Sequence, residues 1–379
     1  MPSSTGTPPP PGSPIAILSS GGDAPGMNAA IRAATAVIAS AGYQPMGVRY
    51  GYRGLIAGDL VPLGPDQVAT ILREGGTMLG SARCQEFMTL EGRATARARL
   101  TAAGVRGLVV IGGNGSLAGA MALTDPAEAG PDFACAVMGV PASIDNDIGL
   151  TGMAIGVDTA MNTIVEACDK ISDTASAHDR TFIVEVMGRA CGYLAMTAAV
   201  AAGADAVLFR EAEKTPDEVV ASVVKTVMHA RARAGRPKRV LVIKSEGTPI
   251  SNDELKTRVD AELRARLGPD TPPVETRVTV LGHVVRGGRP SAFDRLLASR
   301  LANVAVRGLL AGHHREMAAW LLPGDLPPDV GVRSTDDPYC FLVGLDAVQR
   351  ETARLLEGTS DLAVWRRTVF HDVEDILPY

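Results

Sequence analysis

The chain repeats one local pattern, in which a short apolar strand runs into a glycine-rich or proline-containing turn. Apolar runs at 15–18, 108–111 and 136–140 end in such turns, and helical stretches follow the first two. Short strands that alternate with amphipathic helices are typical of parallel sheets. Because ligands bind at the carboxyl ends of such strands, the three turns are expected to face one crevice.

A second set of strands and helices follows residue 150. Apolar runs at 182–186, 207–209, 240–243 and 278–281 predict strands with helices between them. The sequence therefore predicts an α/β fold of two lobes, each a parallel-type sheet flanked by helices. The expected domains are a disordered extension at 1–14, a lobe at 15–150 with a helix from 293–312 packed on it, a lobe at 151–325, and a C-terminal loop and helical tail at 326–379.

Composition disfavours several classes of function. The 379 residues carry a net charge of −5 and only 4% aromatic side chains, which disfavours binding to nucleic acid. Apolar stretches are interrupted before they reach membrane-spanning length. The five cysteines are scattered and form no C-x-x-C pair, which indicates free thiols in a reducing compartment. We therefore expect a cytoplasmic protein with no nucleic-acid or membrane partner.

Two aspartates follow the third strand, in the stretch G-V-P-A-S-I-D-N-D at 139–147. In an extended segment, residues two apart point the same way, so Asp145 and Asp147 are expected to project into one pocket. Two carboxylates placed in this way suit a general base and an acceptor for a metal ion or an arginine. The alternative interpretation is an Asx-type turn, in which these side chains bond to the local backbone.

Two other turns have the composition of phosphate-binding loops. G-G-D-A-P-G at 21–26 and G-G-N-G-S-L-A-G at 112–119 allow the backbone to approach a phosphate closely. The second fits a relaxed dinucleotide fingerprint, but the next strand lacks the acid that would hold a ribose, and no Walker G-K-[ST] follows. We therefore predict a phosphate-cradling loop, with Asn114 or Ser116 near the phosphates or the water shell of a magnesium ion.

Charged residues recur at the ends of the later strands. Arg180 and Arg189 bracket one strand, and Arg277 and Arg286 bracket another. Because arginine forks bind phosphate oxygens, this recurrence predicts a pocket for a phosphorylated substrate. Further candidates are His283, Arg83 in G-S-A-R-C, and Glu246 as an acceptor for a sugar hydroxyl. Glycine loops on a donor side and charged groups on an acceptor side, with Asp145 between them, suit phosphoryl transfer.

The combined motifs carry a family resemblance. In chain order they are S-G-G-D-A-P-G-M-N-A-A-I-R, G-S-A-R, I-D-N-D, E-V-M-G-R-x-C-G, S-E-G and L-G-H-V-V-R-G-G-x-P-x-x-x-D-R, within residues 15–312. This set resembles the 6-phosphofructokinases. The resemblance implies a two-lobed phosphofructokinase-like fold with the active site in the cleft between the lobes, the first binding the phosphoryl donor and the second the sugar phosphate. It also implies Mg²⁺-dependent transfer of phosphate to O1 of fructose 6-phosphate.

The resemblance implies roles for matching positions. Asp145 is implied as the base that takes the proton of the sugar 1-hydroxyl, Arg189 as the group that stabilises the transferring phosphoryl, and Asp147 as a supporting acid. Residues implied to hold the sugar phosphate are Ser143, Met187, Gly188, Glu246, His283 and Arg286. Residues implied to hold the donor are Gly22, Arg83, Cys84, Gly113, Asn114, Gly115 and Ser116. Arg180 and Arg277 are implied to reach in from a neighbouring subunit, in a homodimer or homotetramer.

Departures from the family pattern bear on the donor and the metal. Asn114 replaces the family's usual aspartate near magnesium, which weakens the attraction for the ion. Gly115 and Ala142 replace an acid and a lysine of diphosphate-using relatives and favour ATP, and Gly119 is expected to leave room for adenine. The alternatives that stay open are a diphosphate donor, another acceptor such as sedoheptulose 7-phosphate, and a weakly active regulatory paralogue.

Overall fold

The computed structural model describes residues 6–233, 239–269, 271, 274–321, 331–334, 337–374 and 377, without the side chains of 370–374. The strands are β1 Pro14–Ser20, β2 Gln44–Val48, β3 Leu60–Pro62, β4 Gly107–Gly112, β5 Ala136–Pro141, β6 Thr181–Val186, β7 Ala206–Leu208, β8 Val240–Ser245, β9 Thr276–Val280, β10 Glu316–Trp320, β11 Gly331–Arg333 and β12 Cys340–Gly344. The helices are α1 Met27–Ser40, α2 Gly51–Ala57, α3 Leu90–Ala102, α4 Asn114–Leu123, α5 Pro126–Ala129, α6 Val157–His178, α7 Tyr193–Ala201, α8 Pro216–Ala232, α9 Asn252–Leu267, α10 Ala292–Leu310, α11 Leu345–Leu356 and α12 Asp361–Glu374.

The chain divides into two compact units. Unit 1 contains Met1–Thr159 with Arg286–Arg354, and unit 2 contains Ala160–Val285 with Leu355–Tyr379. The predicted domains placed the helix at 293–312 on the first lobe and the rest of 286–321 with the second, whereas in this division all of 286–321 lies in unit 1. The reason is strand pairing: β10 lies parallel to β5 in the sheet of unit 1, so the chain returns to that unit after unit 2.

Unit 1 is built on an eight-stranded sheet in the order β11-β12-β10-β5-β4-β1-β2-β3. Its central strands are parallel and almost completely buried, as the apolar runs predicted. The edges differ from the prediction, since β3 lies antiparallel to β2, and β12 lies antiparallel to both β10 and β11. In a parallel sheet the carboxyl ends of neighbouring strands share one edge, and this arrangement brings the turns after β1, β4 and β5 together.

Unit 2 contains a four-stranded parallel sheet in the order β7-β8-β6-β9. Valines of α8, among them Val219 and Val223, form a buried core with Val240 and Val242 of β8. A capping box formed by Thr215 and Glu218 fixes the start of α8 and satisfies backbone donors that would otherwise lack partners. The α/β architecture predicted from the sequence is thus present in both units.

The N-terminal segment departs from the sequence-based expectation. Residues 1–5 of the predicted disordered extension lie outside the described residues, but 6–13 contact unit 1. The Gly6 amide donates to the Gly312 carbonyl at 2.7 Å, and the Tyr43 hydroxyl donates to the Pro9 carbonyl at 3.1 Å. Prolines restrict this segment and lower the entropy lost on docking. At the other end, the stretch predicted as a C-terminal loop and helical tail at 326–379 contains the two helices α11 and α12, and its residues 326–330 and 335–336 lie outside the described residues.

All five cysteines are free thiols, and four of them are buried. Burial raises the pKa of Cys135 to about 12 and that of Cys168 to about 11, which keeps both thiols protonated and unreactive at neutral pH. Among the described residues, no helix is both long and apolar enough to cross a membrane.

Candidate active site

The turn after β1 is shaped by two glycines. Gly21 has a φ of 88°, which favours glycine, and a Cβ on Gly22 would lie 2.6 Å from the Arg286 Nη1 atom. The Arg286 guanidinium also donates to the Asp23 carbonyl at 3.3 Å. The structure therefore brings together Gly22, predicted for the donor, and Arg286, predicted for the sugar phosphate.

The loop at 77–84 packs against the same turn. The Ser81 hydroxyl donates to the Gly21 carbonyl, and the Ser19 and Thr77 hydroxyls are 2.7 Å apart. The buried Asn28 side chain accepts from the Met78 amide at 2.7 Å. These contacts place the exposed Arg83 and the half-buried Cys84 near the carboxyl end of β1. Sequence reasoning did not single out Asn28, although a buried asparagine at a helix start is a signal for such a role.

The turn after β4 leads directly into α4, which begins at Asn114 with Gly113 as its N-cap. A Cβ on Gly115 would meet no described atom within 4 Å, so this side of the loop is open. The Ser116 hydroxyl instead lies buried beneath the loop, where no described group bonds to it. Ser116 is thus placed under the predicted phosphate loop and not on its surface.

Gly119 does not leave space for a nucleotide base. A Cβ there would lie 2.8 Å from the Tyr52 ring, and the Tyr52 hydroxyl donates to the Ser116 carbonyl at 2.6 Å. Burial raises the pKa of the Tyr52 phenol, so it stays protonated and remains the donor. The adenine space predicted at Gly119 is therefore wrong, because a buried aromatic ring from α2 occupies it.

The I-D-N-D segment is a turn and not an extended strand end. Asn146 has a φ of 49°, its Nδ2 donates to the Gly152 carbonyl at 3.0 Å, and its Oδ1 accepts from the Ala154 amide at 3.0 Å. The expectation that Asp145 and Asp147 point the same way through strand alternation is thus wrong. The left-handed asparagine between them breaks the alternation, as short amides do in turns.

A small polar cluster forms around Asp147. Its Oδ2 accepts from Asn114 Nδ2 at 2.7 Å, and its Oδ1 accepts from the Ser143 hydroxyl at 3.0 Å. These contacts join the turns after β4 and β5. Asp145 is half-buried two residues away, at the same edge of the sheet. Three residues predicted for the donor, the substrate and catalysis therefore meet in one hydrogen-bonded group.

The cluster around Asp147 fits a magnesium ion that is held mainly by other ligands. No group of three or more His, Cys, Asp or Glu side chains suited to a metal occurs in the described part of the chain. The cluster offers the Asp147 carboxylate and the buried Asn114 Oδ1, which accepts no hydrogen bond from any described residue. Mg²⁺ in proteins commonly takes one or two such oxygens and completes its shell with phosphates and water.

The ends of β6 and β8 in unit 2 bring Arg189 and Glu246 together. Arg189 Nε lies 3.5 Å from Glu246 Oε1, and the arginine side chain is 89% exposed. Gly188 has a φ of 125°, and a Cβ on Gly247 would lie 2.2 Å from the Arg189 carbonyl oxygen. Both glycines are thus required by close backbone packing, and they aim Arg189 outwards next to the half-buried Met187.

Arg180 and Arg277 share one partner in unit 2. Arg180 Nε donates to Glu275 at 3.1 Å, and Arg277 also forms an ion pair with Glu275. Arg277 lies on β9, which is an edge strand of its sheet, and its side chain is exposed. His283 is exposed in the 3-10 turn Gly282–Arg286 that follows β9.

Buried charged residues that the sequence analysis did not single out support these strand ends. Lys244 Nζ lies 2.6 Å from Glu185 Oε2, one residue before the ends of β8 and β6. Asp294 accepts from the Gly156 amide at 2.8 Å and the Thr159 amide at 2.7 Å, at the start of α6. Burial raises the pKa of Asp294, while these hydrogen bonds act in the opposite direction.

One unit carries glycine-rich turns beside a carboxylate, and the other carries an arginine–glutamate pair at strand ends. These features are typical of α/β proteins of the phosphate-binding class. Within that class the chain belongs to the phosphofructokinase family, whose model matches residues 14–309. This confirms the resemblance carried by the sequence motifs.

Similar proteins agree with this assignment. The chain is 44% identical over 298 residues to ATP-dependent 6-phosphofructokinase 1 of Thermus thermophilus, covering 79% of this chain and 86% of the relative. It is 45% identical over 305 residues to an ATP-dependent 6-phosphofructokinase of Thermotoga neapolitana, covering 80% and 89%. A solved structure of Pichia pastoris phosphofructokinase in the T-state matches with a TM-score of 0.82 and 31% identity. That match covers 97% of this chain but only 40% of the Pichia chain.

Proposed function

We propose that this protein is an ATP-dependent 6-phosphofructokinase, which transfers a phosphoryl group from ATP to O1 of fructose 6-phosphate in glycolysis. The observation that carries the proposal is the I-D-N-D turn. It sets Asp145 beside the Asp147 cluster at the same sheet edge as two glycine-rich phosphate loops. The names of relatives that are 44% and 45% identical over most of their lengths support it.

Asp145 acts as the general base in this proposal. It takes the proton from the sugar 1-hydroxyl while that oxygen attacks the γ-phosphorus and the β–γ bridging oxygen leaves with ADP. Arg189 stabilises the negative charge on the transferring phosphoryl group. Ser143, Met187, Gly188, Glu246, His283 and Arg286 hold the sugar phosphate. The Arg189–Glu246 pair is loose at 3.5 Å, so the guanidinium is available to an incoming phosphate.

The donor side of the proposed site is formed mostly by backbone. Gly22, Gly113 and Gly115 expose amides near the N-terminus of α4, where the helix dipole favours an anion. The open space at Gly115 suits a donor longer than diphosphate, since a nucleotide adds its α-phosphate and sugar there. Arg83 and Cys84 border the donor, and Ser116 supports the loop from below. ATP is therefore the donor that the described residues favour.

Asp147 and the Asn114 Oδ1 atom are the groups that would hold Mg²⁺ together with the ATP phosphates. The ion would supply charge neutralisation on the β- and γ-phosphates. Ser143 and Asn114 fix the Asp147 carboxylate by two hydrogen bonds, which keeps an oxygen ligand in place before the metal arrives.

The enzyme is proposed to act as a cytoplasmic homo-oligomer. Arg277 lies on the edge strand β9 and shares the partner Glu275 with Arg180, and the nearby Val280 and Val284 are 57% and 67% exposed. An exposed apolar edge next to two arginines suits contact with a second copy of the chain. In that oligomer the two arginines would bind the sugar phosphate of the neighbouring subunit.

A matrix of donors and acceptors tests the proposed activity. Purified protein is assayed with ATP or diphosphate against fructose 6-phosphate or sedoheptulose 7-phosphate, with and without Mg²⁺. The expected result is turnover with ATP, fructose 6-phosphate and Mg²⁺, and its loss by about three orders of magnitude or more in Asp145→Ala. Turnover only with diphosphate, or a preference for the seven-carbon sugar, would overturn the proposed substrate pair.

A further inference from the structure

We propose that the C-terminal helix α12 positions the Arg189 loop through Arg366, and that this residue sets the rate of phosphoryl transfer without binding either substrate. The inference rests on the proposed role of Arg189. It concerns a part of the chain that lies beyond residues 14–309, which match the family model. The loop in question is 187–192, between β6 and α7.

Arg366 is a buried charge whose contacts converge on the loop. The residue is only 7% exposed, its Nη1 lies 3.7 Å from the Cys191 sulfur, and its guanidinium stacks over the Tyr193 ring at 4.6 Å. A buried guanidinium is costly unless its surroundings compensate the charge, and an aromatic face provides part of that compensation. Arg366 thus contacts both the end of the loop and the start of α7.

Close backbone contacts within and beside the loop couple the position of Cys191 to that of Arg189. A Cβ on Gly188 would lie 2.4 Å from the Cys191 carbonyl oxygen, so these two residues are in close backbone contact across a tight turn. On the other side, Gly247 presses against the Arg189 carbonyl. A shift of Cys191 therefore moves Gly188, and with it the backbone that carries the Arg189 side chain.

The loop is held at its far end by a second contact. Glu211 Oε1 accepts from the Gly192 amide at 2.7 Å. Beside this contact a small pocket of about 20 Å³, partly open to solvent, is lined by Cys191, Glu211, Arg366 and Arg367. The directed contacts of Arg366 and Glu211 therefore hold the loop next to a small gap in the packing. Removing one of them gives the loop room to move.

The position of Arg189 matters because transition-state stabilisation depends steeply on geometry. A misplacement of about 1 Å can cost about 100-fold in rate. The contacts of Arg366 with Cys191 and Tyr193 lie at the loop and at the start of α7, so its loss should lower kcat and leave both KM values nearly unchanged. A residue that only stabilised the fold would lower the thermal midpoint and leave the kcat of the folded enzyme unchanged.

The test compares Arg366→Ala, Arg366→Lys and Arg350→Ala in the full-length enzyme. Arg350 is an exposed arginine of α11 and serves as the matched control. We expect Arg366→Ala to lower kcat about 10-fold or more with KM changes below about 3-fold. Arg366→Lys keeps the charge over Tyr193 and should stay within about 3-fold of wild type. Arg350→Ala should match wild type.

A double mutant and a thiol probe test whether Arg366 acts through the loop that carries Arg189. If Arg366 acts through Arg189, then Arg189→Ala/Arg366→Ala should be no slower than Arg189→Ala alone. Peptide mapping after reaction with iodoacetamide should show faster modification of Cys191 in Arg366→Ala, because the guanidinium no longer covers the sulfur. Unchanged kcat in a folded Arg366→Ala enzyme overturns the inference, and so does a fully additive double mutant. If Arg189→Ala alone left kcat unchanged, that result would instead refute the proposed role of Arg189.

Discussion

At the scale of single residues, the pairing of Asn114 with Asp147 decides how the proposed site handles charge. The amide donates a hydrogen bond to the carboxylate at 2.7 Å, where the family's usual aspartate would bring a second negative charge. Two carboxylates at that distance repel one another unless a cation lies between them. Asn114 therefore keeps the cluster stable without metal, at the cost of weaker attraction for Mg²⁺.

The variant Asn114→Asp tests this interpretation. Without metal, we expect the added charge to destabilise the protein by about 1 kcal/mol, because Asp147 loses a donor and gains a like charge. With Mg²⁺, we expect half-activation at a several-fold lower ion concentration and a kcat within about 10-fold of wild type. Magnesium titrations of activity and of the thermal midpoint measure both effects. A rise in turnover from near zero would show instead that the natural protein is a weakly active paralogue.

At the scale of secondary-structure elements, the ion pair of Lys244 and Glu185 joins β8 to β6 directly behind the proposed substrate residues. Lys244 is 1% exposed and lies 2.6 Å from its partner. Replacing only Lys244 with methionine removes the cation that faces the mostly buried Glu185 carboxylate, so we expect a loss of about 3 kcal/mol of stability. Lys244→Met/Glu185→Gln removes both charges and should lose clearly less. Urea unfolding measures the free energy of unfolding of both variants. Equal losses in the single and the double variant would contradict the proposed stabilisation by the ion pair.

A pH-dependent contact lies in the turn between α10 and β10, two residues before β10 begins. His314 Nδ1 accepts from the Val137 amide of β5 at 3.0 Å, and burial, together with Arg315, lowers the pKa of His314 from 6.5 to about 4. A base with a lowered folded-state pKa binds fewer protons when folded, so its contribution to stability is lost as the pH falls from 6.5 towards 4. We expect this contribution of His314 to the free energy of unfolding to be up to about 2 kcal/mol, after allowance for the partial exposure of its side chain.

Urea midpoints of the wild type and His314→Asn at pH 7 and pH 5 measure this pH-dependent contribution to stability. Asparagine keeps an acceptor near the Nδ1 position but does not titrate in this range. The variant should therefore lose less stability than the wild type between the two pH values. Other groups, such as Glu316, whose pKa is raised by burial, contribute to both proteins and cancel in the difference. Equal pH dependence would contradict the assignment.

Elements formed by local sequence were predictable, whereas those set by distant contacts were not. The central strands and their glycine turns follow from apolar runs and from composition, and the structure confirms the parallel sheet. The antiparallel edge strands depend on partners far along the chain, which local periodicity does not report. In the candidate site, glycine positions and motif order were visible in the sequence. The left-handed Asn146 and the Tyr52 ring over Gly119 were not, because tertiary packing sets both.

At the scale of the whole molecule, the central proposal is that Arg277 serves the active site of a neighbouring subunit while Asp145 serves its own. If this is so, two inactive variants should restore activity when they share an oligomer. In a mixed pair of Asp145→Ala and Arg277→Ala chains, one site lacks both groups and the other regains both. Random equal mixing should therefore recover about a quarter of wild-type activity, since half of the pairs are mixed and each has one intact site.

Co-expression of the two variants with different affinity tags, followed by tandem purification, gives hybrids whose activity and mass can be measured. Purified hybrids with one intact site in two should reach about half of wild-type activity. The matched control pairs Asp145→Ala with Arg189→Ala. Both groups are assigned to the same subunit's site, so every site in that hybrid lacks one of them and activity should stay absent. Activity in the control would mean that Arg189 is the residue exchanged between subunits. A monomeric mass, or no recovery with Arg277→Ala, would refute the shared site.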